Sequence, residues 1–167
     1  MPGSGSVVVF VRHPSAKDKD IPGIREQSQA IEEFCDRERY QVAHWFQPDS
    51  DISKVFLDRP VLCRAVALAG YWRVPLLCYE PLAAFYTARE MLMCMGKLEG
   101  WGSGFLFAGS PWFNTAGAVG RETLDMIRTC YKLTRRLRFS VHLMEKGKRC
   151  KKRLKPLVQT VLTGAKS

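Results

Sequence analysis

Near the start of the chain five apolar residues run without a polar break, Val7-Val8-Val9-Phe10-Val11, and four of them are β-branched. A strand with one wet face alternates apolar and polar residues, whereas a strand buried on both faces does not. Strands of the second kind belong to parallel sheets covered by helices on both sides. This one short run therefore directs the chain toward an α/β architecture.

The rest of the sequence alternates accordingly. Residues 12–23 hold Pro14, Pro22 and Gly23 among charges and read as a loop. Ile24 to Arg39 predicts a helix, with Ile24, Gln27, Ala30, Ile31 and Phe34 falling at helical steps. Tyr40 to Phe46 alternates like a strand, and Gln47 to Asp58 is a polar connection. Arg59 to Ala69 predicts a helix with Pro60 in its first turn, where a missing N–H is harmless. Val74 to Tyr79 is a further apolar run, in which Pro75 signals an edge, a strand start or a distortion. Ala83 to Leu98 predicts one helix, with Met91, Leu92, Met93 and Met95 as core filler. Gly100, Gly102 and Gly104 mark a turn before the strand Phe105-Leu106-Phe107, and Gly109 to Gly117 is loop. Trp101 and Trp112, in glycine-bearing turns, read as loop anchors, with base stacking as the alternative.

From Gly117 a long helix is expected, because Ile127, Cys130, Leu133 (or Thr134), Leu137, Val141 and Met144 recur at three- and four-residue steps. A helix of ~28 residues is about 42 Å long, more than so small a domain covers. Its outer half must meet another subunit or a polyanion, so a homodimer or higher oligomer through this helix is expected. Pro156 ends the run. The expected organisation is an α/β domain over 1–116, a long basic helix for dimerisation and DNA contact over 117–155, and a tail over 156–167.

Charge narrows the choice of partners. The net charge is +10, yet the stretch from Arg128 to Lys155 holds twelve Lys or Arg against Glu145 alone. Basicity is thus concentrated at one end of the chain, as suits a polyanion gripped through its phosphates. A composition with 46% hydrophobic and 25% charged residues excludes a chain too polar to fold. No apolar run reaches the roughly 18 residues that cross a bilayer. The opening Met1-Pro2-Gly3-Ser4-Gly5-Ser6 has no basic start or long apolar core. A cytoplasmic location and no membrane contact are therefore expected. The six cysteines show no C-x-x-C pair and the three histidines are scattered, so neither metal nor cofactor is expected. Most cysteines read as buried thiols in a reducing compartment.

In open α/β sheets ligands bind at the carboxyl ends of the strands. Three loops qualify: one with Arg12, His13 and Ser15, one with Ser53, Lys54 and Arg59, and one after Tyr79. A hydroxyl beside guanidinium groups suits phosphodiester chemistry, because the hydroxyl attacks phosphorus while the cations neutralise the equatorial oxygens. His13 reads as a loop residue, with a general base as the alternative.

Four ordered motifs sharpen this reading. Phe10-Val11-Arg12-His13-Pro14-Ser15 resembles the aromatic-x-Arg-x-Ser opening of serine recombinases, the resolvases and invertases. Ile24 to Ile31 resembles that family's first helix, in which Gln27 would lie near the active site. Asp58-Arg59-Pro60-Val61-Leu62 is similar to the Asp-Arg-Pro-x-Leu segment whose arginine contacts the scissile phosphate. Asn114 to Arg121 resembles the lead into the family's long dimerisation helix. The resemblance spans roughly residues 7 to 145. It implies a resolvase-like sheet, DNA as partner, and a catalytic set of Ser15, Arg12, Arg59 and Gln27. The basic segment supplies the DNA contacts expected of Arg135, Arg136, Arg138, Lys148, Arg149, Lys151, Lys152, Arg153 and Lys155.

The departures are as informative. The family's nucleophile follows the arginine by two residues, where this chain has Pro14, with Ser15 one further on. After the third strand the family has Asp-Arg-Leu-x-Arg; this chain reads Glu80-Pro81-Leu82-Ala83-Ala84 and lacks both guanidiniums. The Glu-Arg pair of the long helix is replaced by Lys132-Leu133-Thr134-Arg135-Arg136. About 20 residues follow Glu145, too few for a three-helix DNA reader. The expected function is a serine-recombinase-like DNA-binding protein, catalytically degenerate and acting as an accessory or regulatory factor. An active recombinase using Ser15 is one alternative. A basic α/β module that binds protein or RNA is the other.

Overall fold

The computed structural model describes residues 5–14, 20–47, 59–115 and 117–135. The chain forms two compact units, Met1–Met126 and Ile127–Ser167. In the first unit, β1 (Ser6–Phe10) is buried along its whole length, as the unbroken apolar run requires. It lies inside a four-stranded sheet of order β2-β1-β3-β4, with β2 spanning Gln41–Phe46, β3 Leu76–Cys78 and β4 Phe105–Phe107. All three pairings are parallel, so the expected mainly parallel sheet is wholly so. Val8 and Val9 face Leu76 and Leu77 on one side and His44 and Trp45 on the other. The register against β2 slips between Val7 and Val8.

The two faces of β1 serve two helical layers. Val7, Val9 and Val11 pack with Leu77 and Leu106 against Ile31, Phe34 and Cys35 of α1 (Ile24–Glu38). That helix buries Gln27, Ile31, Phe34 and Cys35, a four-three-one spacing that makes one stripe. Its first turn is tied by the Gly23 N–H donating to Glu26 Oε2 at 3.0 Å. On the other face α2 (Pro60–Trp72) packs on β1 and against α4 (Ala88–Gly100). Pro60 occupies its first turn as expected, and the helix runs three residues past Ala69. It buries Leu62, Ala65, Val66, Ala69 and Gly70. Arg73 closes it at φ 55, a left-handed conformation held by its N–H donating to Ala69 and Gly70 carbonyls.

One expectation is corrected. Ala83 to Leu98 is not one helix: α3 (Pro81–Ala84) stops at Phe85, which is extended, and α4 begins at Ala88. Thr87 causes the break, since its Oγ1 accepts the Glu90 N–H at 3.1 Å and caps the new helix. Of the three readings open for Pro75, the strand start holds. It sits just before β3, an interior strand, and its carbonyl accepts the Val8 N–H at 3.0 Å. The expected loop 109–117 contains a 3-10 turn at Pro111–Phe113. Beyond it, Asn114 Oδ1 accepts from Phe107 N–H at 2.6 Å and Thr115 Oγ1 from Phe105 N–H at 2.7 Å, which satisfies the outer rim of β4.

Residues 118–126 are helical in the first unit and 127–135 in the second. Residues 48–58, the remaining expected length of the long helix and the tail lie outside the described residues. No helix among the described residues is long and apolar enough to cross a membrane.

Candidate functional site

Parallel strands place the chain segments that leave them at one end of the sheet, so Arg12 after β1, Arg59 before α2 and residues 79–90 after β3 converge at the carboxyl end. Arg12 and Arg59 are both fully buried, at 1% and 0% exposure. A buried guanidinium needs acceptors for its donors and a counter-charge, or the fold is strongly destabilised. The segment after β3 supplies both.

Arg12 Nε donates to the Ala83 carbonyl at 2.5 Å, and Nη2 to the Leu82 carbonyl at 3.4 Å. Arg59 donates through Nη1 and Nη2 to the Ala84 carbonyl, each at 3.1 Å. Its Nη1 also makes an ion pair with Glu90 Oε1 at 2.7 Å, with both side chains out of solvent. Glu90 is fixed in turn, because its Oε2 accepts the Tyr86 N–H at 2.8 Å. The Tyr86 ring lies against both cations, 4.2 Å from the Arg12 guanidinium carbon and 4.9 Å from that of Arg59. Phe10 offers Arg59 a second aromatic contact at 5.6 Å. The Tyr86 hydroxyl is buried and has no hydrogen-bond partner among the described residues.

Gln27 belongs to the same cluster. Its Nε2 donates to the Arg12 carbonyl at 3.0 Å and to the Pro22 carbonyl at 2.7 Å, so it ties the start of α1 to the end of β1. Burial dominates the local acid–base chemistry. It pushes the Cys78 and Cys94 thiols far above their ordinary value, while the charge of Arg59 acts weakly the other way. Both are neutral buried thiols rather than nucleophiles.

Arg12, Arg59 and Gln27 are thus brought together, as their order in the sequence suggested. Ser15 lies outside the described residues. His13 is exposed, with Nδ1 2.9 Å from the Pro14 carbonyl, and is not part of the cluster. Of the residues expected to contact DNA, Arg135 is exposed at the end of the helical stretch 127–135. Arg136, Arg138, Lys148, Arg149, Lys151, Lys152, Arg153 and Lys155 lie outside the described residues. Sequence reasoning missed Glu90 and Tyr86. The spacing Thr87-x-x-Glu90 carries a helix-start signature that would have flagged the first of them.

No protein-family model and no curated protein sequence matches the chain. Solved structures do. The N-terminal catalytic domain of TP901-1 integrase superposes with a TM-score of 0.67 at 18% identity, covering 79% of this chain and 98% of that one. A resolvase family site-specific recombinase from Streptococcus pneumoniae gives 0.64 at 9% identity, covering 86% of this chain and 98% of that one. The fold of this chain is therefore the resolvase-like fold of serine recombinase catalytic domains.

Proposed function

We propose that this chain is a DNA-binding relative of the serine recombinases that holds DNA without cutting it, as an accessory or regulatory factor. The observation that carries this reading is the state of the two arginines. Each donates to main-chain carbonyls of residues 82–84, and Arg59 is also neutralised by Glu90. That segment occupies the place where the family resemblance puts Asp-Arg-Leu-x-Arg. In place of two further guanidiniums it offers carbonyl oxygens that occupy the two that remain. To reach a phosphodiester, Arg59 would have to leave a buried ion pair, a rearrangement costing about 3–5 kcal/mol. Arginines that stabilise the reacting phosphoryl group are worth roughly 10³–10⁵ in rate. Pro14, at the position of the family's nucleophile, has no hydroxyl.

DNA as the partner rests on the twelve cations from Arg128 to Lys155. Contacts to phosphates give grip with little sequence preference. Self-association rests on the apolar residues that recur at helical steps from Ile127 to Met144, a stripe longer than one small domain covers. The reading places the protein with DNA in the cytoplasm. A second reading, an active recombinase using Ser15, is favoured by one observation: Arg12, Arg59 and Gln27 do cluster. It requires the 82–84 segment to withdraw.

Two experiments separate these readings. On supercoiled DNA the expected result is no covalent protein–DNA adduct; an adduct that disappears in Ser15→Ala would establish the enzyme. Duplex binding should weaken steeply with salt. Neutralising Arg149, Lys151, Lys152 and Arg153 should lower affinity on all sequences and reduce the log–log salt slope by about 0.9 per lost phosphate contact. No measurable affinity at low salt would overturn both DNA readings.

A further inference from the structure

We propose that the opposite, amino end of the sheet carries a second site, which takes a nucleotide: an aromatic base on a tyrosine–tryptophan groove and its phosphate on two arginines. This goes beyond duplex binding by the basic segment and does not depend on it. The groove forms where α2 and α4 end side by side. Gly70 lets the Trp101 ring rest directly on α2, since a methyl group at residue 70 would sit 1.9 Å from Trp101 Cε3. The ring is seated by this contact, yet Trp101 remains 44% exposed. Tyr71, 77% exposed, lines the same groove of about 740 Å³ together with Arg73. Large aromatic rings left in water beside a seated indole form a platform on which a planar group stacks at little ordering cost.

Arg73 and Gly102 also line an adjoining cavity of about 290 Å³, into which the strand starts Pro75 and Gly104 open. Arg121 lines its far side, with Ser103, Thr115 and Glu99. Two guanidiniums against one carboxylate leave the cavity cationic. Neither Arg73 nor Arg121 has a side-chain hydrogen bond or ion pair among the described residues. Both spaces fall near the size of small-ligand pockets. An aromatic anion satisfies both halves at once. A base paired within a duplex has no open face to offer, so the ligand is a nucleotide from a single strand or a free one.

The test uses the full chain and two probes, a short fluorescein-labelled oligothymidylate and thymidine monophosphate. Both are read by quenching of tryptophan fluorescence, and the first also by anisotropy. Quenching by the oligonucleotide is expected and should be lost in Trp101→Phe. Tyr71→Ala and Arg121→Ala, at exposed positions, should each weaken binding about fivefold or more. Quenching by the monophosphate as well identifies a free nucleotide as sufficient; quenching by the oligonucleotide alone identifies a single strand, and either supports the site. Neutralising Arg149, Lys151, Lys152 and Arg153 should weaken duplex binding and leave Tyr71-dependent quenching in place, so the two sites fail separately. Absence of quenching by both probes, or wild-type affinity in Tyr71→Ala and Arg121→Ala, would overturn the proposal.

Discussion

The two ends of the parallel sheet treat their arginines in opposite ways. At the carboxyl end Arg12 and Arg59 are withdrawn from water, with Arg59 locked onto Glu90 and the Ala84 carbonyl. At the amino end Arg73 and Arg121 are exposed; Arg73 lines the groove of Tyr71 and Trp101, and both arginines line the cavity that adjoins it. The carboxyl end is where α/β folds bind ligands. In this chain that end has become part of the core, with charge turned inward to hold the loop after β3. A guanidinium buried against protein acceptors and a counter-charge acts as a structural tie, and the same group beside a solvent cavity is a binding group. Burial and acceptor count decide between the two, not position in the fold.

The sharpest way to break the contrast is Glu90→Ala. It leaves the Arg59 charge buried without its carboxylate, so a loss of about 3–5 kcal/mol in urea unfolding is expected. An effect below 1 kcal/mol would mean that Arg59 swings freely to solvent and the sealed end is not sealed. Gly70→Ala strikes the other end. A methyl group there must displace the Trp101 ring, so a loss of about 1–3 kcal/mol is expected, with loss of oligonucleotide quenching. Thr87→Ala removes the cap that starts α4 and holds Glu90 in register, for a loss of about 1 kcal/mol. Tyr71→Ala should change stability by no more than about 0.5 kcal/mol, because the side chain is largely in water. The same readout thus grades the two ends from structural to open.

Thiol chemistry supplies a further check. At mildly alkaline pH an alkylating reagent should modify exposed Cys130 and spare Cys78 and Cys94, whose burial keeps them protonated. Cys35 is pushed from 9.0 up to about 11, by burial first and then by Asp36 and Glu32. Its folded value lies above its unfolded one. The unfolded chain therefore releases the proton first, and stability should fall as pH rises from 9.0 to about 11. Unfolding midpoints that stay level across that interval, or that fall equally in Cys35→Ser, would remove this attribution.

The sheet was legible because its signal is local: Val7 to Val11 cannot be half-wet, and the alternation of apolar runs with helical stripes fixes a covered parallel sheet. The cluster of Arg12, Gln27 and Arg59 was legible through motif order. What the sequence hid was the acceptor side. Leu82, Ala83 and Ala84 bind the arginines through main-chain carbonyls, which no side-chain pattern reports. Their presentation depends on α3 ending at Ala84, a break that the helical composition from Ala83 to Leu98 conceals. Nothing in an expected continuous helix singles out Glu90; the break at Phe85 and the Thr87 cap place it where it reaches Arg59. The amino-end groove was hidden for a similar reason. Tyr71, Arg73 and Trp101 meet where α2 packs against α4, and Arg121 lines the adjoining cavity from the helical stretch 118–126, which sequence spacing does not encode.

The most direct test of the sealed clamp is magnetic resonance of isotope-labelled arginine side chains during titration with duplex DNA. The expected result is that the Arg12 and Arg59 guanidinium protons exchange slowly with water and keep their shifts at saturating DNA, while other arginine signals move. Shifts or rapid exchange at Arg12 and Arg59 on adding DNA would show that the phosphate reaches them, and the sealed clamp would be contradicted.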